Sequence, residues 1–168
     1  MKEIYYDLFD SPIGEILVAS TEFGLCLVSI DMGERVGALE VFSVWPDHRP
    51  VRDAGRHSAI KADLKRYLKG ARVKFNAKTD ISIGTDFQRM VWRELGNIPY
   101  GETRSYKWVA DGVGCPKGSR AVGQANGRNP LPIIIPCHRV INSDGSLGGY
   151  SGGIEIKKML LGIEGVRI

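Results

Sequence analysis

Short runs of apolar and β-branched residues open the chain. Residues 2–9 (KEIYYDLF), 14–20 (GEILVAS) and 24–30 (GLCLVSI) are rich in β-branched and aromatic side chains and separated by turn material. That texture predicts three strands in an antiparallel meander. Residues 31–56 are polar, contain Pro46, Pro50 and Gly55, and read as irregular. The period then changes. Ile60, Leu64, Tyr67 and Leu68 recur at helical spacing, and Gly70 supplies a stop. RVKFNA (72–77) suits one more strand. The expectation is a small α/β domain over 1–77 without any catalytic constellation, then a connector at 78–84 (KTDISIG).

From residue 85 the pattern becomes helical. Thr85 with Gln88 three positions on forms a capping box, and Phe87, Val91, Trp92 and Leu95 give the following helix its apolar face. A turn at 99–105 precedes a short helix beginning at Ser105 and ending in glycines. A second short helix is expected from Ser119, as N-cap, to Asn126. Two short helices joined by a glycine-containing turn suggest a helix-turn-helix. NPLPIIIPCHRVI (129–141) is punctuated by three prolines, which excludes a regular helix and favours a buried extended segment or tight turn. A glycine-rich loop (142–153) leads to a closing amphipathic helix (154–165). The second domain is taken as 85–168, mainly helical.

Composition narrows the class. Hydrophobic residues make up 43% and charged residues 25% of 168, as in an ordinary globular protein. No apolar run approaches the roughly 20 residues of a membrane span. The start, MKEIYYDLFDSP, lacks the apolar stretch of a signal peptide, so a cytoplasmic protein is expected. The cysteines, Cys26, Cys115 and Cys137, are odd in number and sparse, which fits a reducing compartment. They lack metal-ligand spacing with His48, His57 and His138, so neither a metal nor a cofactor is expected. The net charge of +4 sits wholly in residues 85–168, with 11 basic against 7 acidic residues. A solvated basic face is the common meaning of such an excess. A polyanion would meet this half first.

The chemistry concentrates at Cys137, His138 and Arg139. A cysteine at the end of an apolar run is usually an inert core residue. Burying a histidine and an arginine beside it is costly unless they are paired. A thiolate nucleophile needs a base or cation nearby, and His138 is the nearest candidate. In extended chain adjacent side chains point to opposite faces, so the two would meet only across a turn or through a water. Glu155 and Glu164 are the carboxylates best placed to orient the histidine. Local chemistry leaves a cysteine protease, a thiol transferase and a redox sensor open. A nucleophile a dozen residues after a helix that reads DNA favours chemistry on a base.

RAVGQANGRNPLPIIIPCHRVI, with TDFQRMVWRELGNIPYGETRSY before it and GGYSGG after it, resembles the active-site region of O6-alkylguanine-DNA alkyltransferases. The likeness is close over 85–165 and general over the first half, which in that family is a ribonuclease-H-like α/β domain. The resemblance implies a helix-turn-helix laid in the minor groove of double-stranded DNA and a target guanine flipped into the protein, as chemistry on a stacked base requires. It implies stoichiometric, irreversible transfer of an alkyl group from O6-alkylguanine, less readily O4-alkylthymine, to Cys137. His138 would act as base through a water, Glu164 would orient it, and Tyr106 would donate a proton to the departing base. Arg120 would fill the gap in the stack, with Ala121, Gln124, Asn126 and Tyr106 also at the DNA. Asn129 would brace the turn, Tyr150 and Ser151 would line the pocket, and backbone groups of Cys137 and Val140 would read the guanine edge. Some members carry a zinc in the first domain, but its ligands are not evident here. A monomer is expected, with cooperative assembly on DNA left open. Two other classes remain: a sensor that binds lesions without reacting, and a cysteine hydrolase unrelated to DNA.

Overall fold

The computed structural model describes residues 1–31 and 40–168. The chain forms two compact units, Met1–Ile83 and Gly84–Ile168. Among the described residues no helix is long and apolar enough to cross a membrane.

In the first unit β1 (Lys2–Ser11), β2 (Gly14–Ser20) and β3 (Leu25–Asp31) form the expected antiparallel meander. A fourth strand, β4 (His48–Arg52), pairs parallel with β1, so the order is β3-β2-β1-β4. This strand lies in the stretch expected to be irregular; the part of that expectation on 32–39 falls outside the described residues. HRPVR escapes pattern reading because it is polar and contains Pro50. An edge strand tolerates a proline, whose missing N–H faces away from the ladder. Ile4, Leu17, Ala19, Cys26, Phe42 and Trp45 form the core on one face of the sheet. The opposite face meets α1 (Ser58–Leu68), which buries Ile60, Leu64, Tyr67 and Leu68 and places Lys61 against buried Asp7 of β1.

RVKFNA does not become a strand; only a single bridge joins Leu25 to Thr79 nearby. Part of the expected connector is hydrogen-bonded into this unit. Leu25 N donates to Lys78 O at 2.8 Å, and Asp80 N donates to Leu25 O at 2.7 Å.

The second unit is built on α2 (Asp86–Leu95), α3 (Tyr106–Gly112), α4 (Ser119–Gly127) and α5 (Ile154–Ile163). The Thr85 capping box forms in full. Ser105 caps α3, its Oγ accepting from Trp108 N at 3.0 Å. Ser119 is not a cap: the N-cap of α4 is Gly118, without a side-chain bond. The turn before it is too tight for a larger residue, since a Cβ on Gly118 would lie 2.5 Å from Cys115 Sγ. Trp92 of α2 donates from Nε1 to Ala125 O at 2.8 Å and so locks α2 to α4. A short parallel pair, β5 (Arg104–Ser105) and β6 (Val140–Ile141), ties the start of α3 to the segment after Cys137.

Candidate active site

The apolar run after α4 is a folded turn with buried Leu131, Ile133 and Ile135. Asn129 organises it from within. Its Oδ1 accepts from Leu131 N at 2.9 Å and its Nδ2 donates to Ile135 O at 2.8 Å. Ile133 has φ +74°, a conformation rare for a β-branched residue, so the surrounding bonds must impose it. The chain then enters a single 3-10 turn, Cys137–Arg139. A turn replaces the extended geometry that would have sent neighbouring side chains to opposite faces. Cys137 is 2% exposed and His138 is fully buried.

His138 Nε2 meets Glu164 Oε1 at 2.7 Å. Glu164 follows the end of α5 and also accepts from Gly101 N at 3.1 Å. The other carboxylate considered, Glu155, is exposed and pairs with Lys158. Burial holds the His138 pKa below its usual value although Glu164 pulls it up. The ring therefore rests neutral and able to accept a proton.

Around the thiol stand Asn129, Tyr150 and Lys157. Burial pushes the Cys137 pKa up, and these three groups oppose it. The sulfur is thus a thiol at rest, in surroundings that favour the thiolate once a base takes the proton. Burial, then the thiol, raise the Tyr106 pKa, which keeps its proton available as an acid. Tyr106 reaches the glycine-rich loop: a Cβ on Gly148 would lie 2.9 Å from its Oη. Tyr150 Oη is buried, and burial with the thiol drives its pKa up. Ser151, next to it, is exposed.

The exposed side of α4 carries Arg120, Ala121 and Gln124. Asn126, expected there with them, points inward. It is 4% exposed, and its Nδ2 donates to Cys137 O at 3.3 Å. Positions 122, 125 and 126 form the inner stripe of a helix, so phase alone turns Asn126 away from solvent. Cys137 O also accepts from Val140 N. With both its lone pairs taken, it is a poor reader of an incoming base.

Two residues of the site have no role assigned from sequence, although a buried Arg139 is expected to need a partner. Lys157 is fully buried on α5, its Nζ donating to Val140 O at 2.6 Å, Leu147 O at 2.5 Å and Gly149 O at 3.2 Å. Burial lowers its pKa to about 8. A lysine three and four positions before Leu160 and Leu161 was the available signal, because it must share their apolar face. Arg139 is the second. Its Nε and Nη2 reach Glu164 Oε2 and Oε1 at 2.9 and 3.0 Å, and its Nη1 donates to Ile98 O at 2.6 Å.

Comparison with known proteins agrees with this arrangement. Residues 4–81 match the family model described as 6-O-methylguanine DNA methyltransferase, ribonuclease-like domain, and residues 86–166 match the DNA binding domain of the same family. The methylated-DNA–protein-cysteine methyltransferase of Methanosarcina barkeri is 46% identical over 96% of this chain and 97% of its own length. That of Mycobacterium bovis is 43% identical over 96% and 92%. The crystal structure of Mycobacterium tuberculosis OGT in complex with DNA superposes with a TM-score of 0.83 at 41% identity, over 95% of this chain and 92% of that one. Both halves match one family in the same order and over nearly the full length, and the chain therefore belongs to the methylated-DNA–protein-cysteine methyltransferase family.

Proposed function

We propose that this chain repairs alkylated DNA by direct reversal, taking the alkyl group from O6 of guanine, and less readily from O4 of thymine, onto its own Cys137. The observation that carries this reading is a buried thiol backed by a buried His138–Glu164 pair at 2.7 Å, on the turn that follows α4. Family membership and the DNA-bound relative support double-stranded DNA as partner.

In this mechanism His138, with Nε2 held by Glu164, takes the thiol proton at Nδ1 through a water. The thiolate attacks the alkyl carbon. A sulfur–carbon bond forms as the carbon–O6 bond breaks, and the electron pair leaves with the guanine. Tyr106 returns a proton to that base. The thioether is not hydrolysed, so each chain reacts once. Arg120, Ala121 and Gln124 would meet DNA from the exposed face of α4, with Arg120 in the gap left by the flipped base. Tyr150 and Ser151 would flank the ring. Val140 O, with one lone pair beyond its bond from Lys157, would accept from the guanine edge. Asn129 would fix the turn that presents the thiol. The protein would act as a monomer in the cytoplasm, and binding through phosphates would weaken with salt.

The test is mass spectrometry of the intact chain and its peptides after incubation with duplex DNA carrying one O6-methylguanine. A single added methyl on Cys137, absent in Cys137→Ser, is expected. Tight lesion binding without modification would replace this reading with that of a sensor.

A further inference from the structure

Glu164 is shared. Its two oxygens accept from His138 Nε2, Arg139 Nε, Arg139 Nη2 and Gly101 N, at 2.7, 2.9, 3.0 and 3.1 Å. The Glu164 side chain is fully buried, so these contacts act in a medium that screens them little. A buried carboxylate facing an imidazole alone would draw a proton onto the ring. A bidentate guanidinium changes that balance, because its planar fork matches the carboxylate and its charge is permanent. The third arm of Arg139, on Ile98 O, keeps the fork from turning away.

We propose that Arg139 is a positioning residue that keeps His138 neutral by engaging both oxygens of Glu164. The ring then rests as a base. It still finds a carboxylate within reach when it takes the thiol proton. Burial opposes the imidazolium first; without the guanidinium, Glu164 would pull harder against that burial and fill the proton acceptor over a wider range of pH before any substrate arrived. The charged groups acting on the ring are Glu164 and Lys157, from the end and the body of α5, and Arg139 from its own turn. Cys137 is its chain neighbour. Buried Val91, Trp92 and Leu95 form the inner side of α2, which packs on the same turn. Lys157 is held by three carbonyls. Arg139 is therefore the one of these cations in direct contact with Glu164.

The kinetic part of this inference rests on the alkyl-transfer reading; the titration part does not. The ring of His138 is titrated by NMR in the full chain and in Arg139→Gln, Arg139→Lys, Glu164→Gln and the Arg139→Gln/Glu164→Gln double variant. Single-turnover methyl transfer is followed over the same pH range. In Arg139→Gln the midpoint of His138 is expected to rise by about one unit or more, the usual effect of unmasking a close charge. The acid limb of the rate profile moves to higher pH with it. Arg139→Lys keeps the charge without the fork and moves the midpoint less than Arg139→Gln. In the Glu164→Gln background the Arg139 substitution moves the midpoint by much less, through the direct effect of its charge on the ring alone. A midpoint unmoved in Arg139→Gln overturns the proposal. So does a transfer rate reduced by one factor at every pH, or a shift in Arg139→Lys as large as in Arg139→Gln. A wild-type chain that takes no methyl group would overturn the repair reading instead, and the titration would still decide the role of Arg139.

Discussion

Replacing Lys157 by methionine tests whether the buried cation organises the site. The change keeps the length of the stem and removes every donor from Val140 O, Leu147 O and Gly149 O. Val140 is fully buried, so its unsatisfied carbonyl costs about 1–3 kcal/mol. Leu147 and Gly149 lie in a partly exposed loop, where their carbonyls can turn to water and add little. Relief from burying an ammonium offsets part of the loss, but such relief is large only where a buried charge is poorly paired. Three carbonyl acceptors pair this one well. The expected net loss is about 2 kcal/mol, read as a lower urea midpoint with an unchanged slope. The functional effect should be larger. The loop that carries Tyr150 loses its anchor and the thiolate loses a nearby cation. An ångström of misplacement is worth about a hundredfold in rate, so single-turnover transfer should fall by a comparable factor. A methionine variant as stable as the wild type and equally fast would refute this account and reduce Lys157 to a filler of the core.

Gly148→Ala sets a Cβ 2.9 Å from Tyr106 Oη at a φ of +68°, so the tyrosine must move. Transfer should slow by about tenfold or more, and an unchanged rate would show that Tyr106 is not held where it acts. Arg120→Ala should weaken DNA binding across all sequences and reduce the salt slope by about 1. Asn126→Ala, altering an inward residue, should leave that slope alone, and salt titration of binding compares the two. Acid should destabilise the first unit through His57, which is 2% exposed and bonded to Ser20 Oγ at 3.0 Å. Burial holds its pKa below the usual 6.5, so below that pH the unfolded chain takes a proton that the folded one refuses. Stability should fall as pH drops through that window, by at most about 1.4 kcal/mol per unit for this group, and less steeply in His57→Gln.

Much of the site was legible because its signals are local. Thr85 and Gln88 make their capping box within four residues, and the glycines after Ile141 mark a loop whatever surrounds it. Cys137, His138 and Glu164 were legible as chemistry and through a family motif, though nothing in their spacing places Glu164 rather than Glu155 against the ring. Asn126 was misplaced because a polar residue on a short helix looks exposed. Only the phase of Val122 and Ala125 against the core reveals otherwise. β4 was missed because a five-residue polar edge strand gains its identity from its partner, β1, more than 40 residues away.

The sequence by itself determined the change from strand to helix near residue 85, the turns, and a cysteine beside a candidate base. These follow from side-chain period and from backbone preferences that act over a few residues. Only the tertiary structure decided what surrounds each charged group. In the sequence Lys157 is an ordinary cation and Arg139 a neighbour of the thiol without a known partner. Folding removes them from water and closes three carbonyls around one and a carboxylate around the other. Desolvation and pairing depend on every neighbour at once, and those neighbours come from segments far apart in the chain.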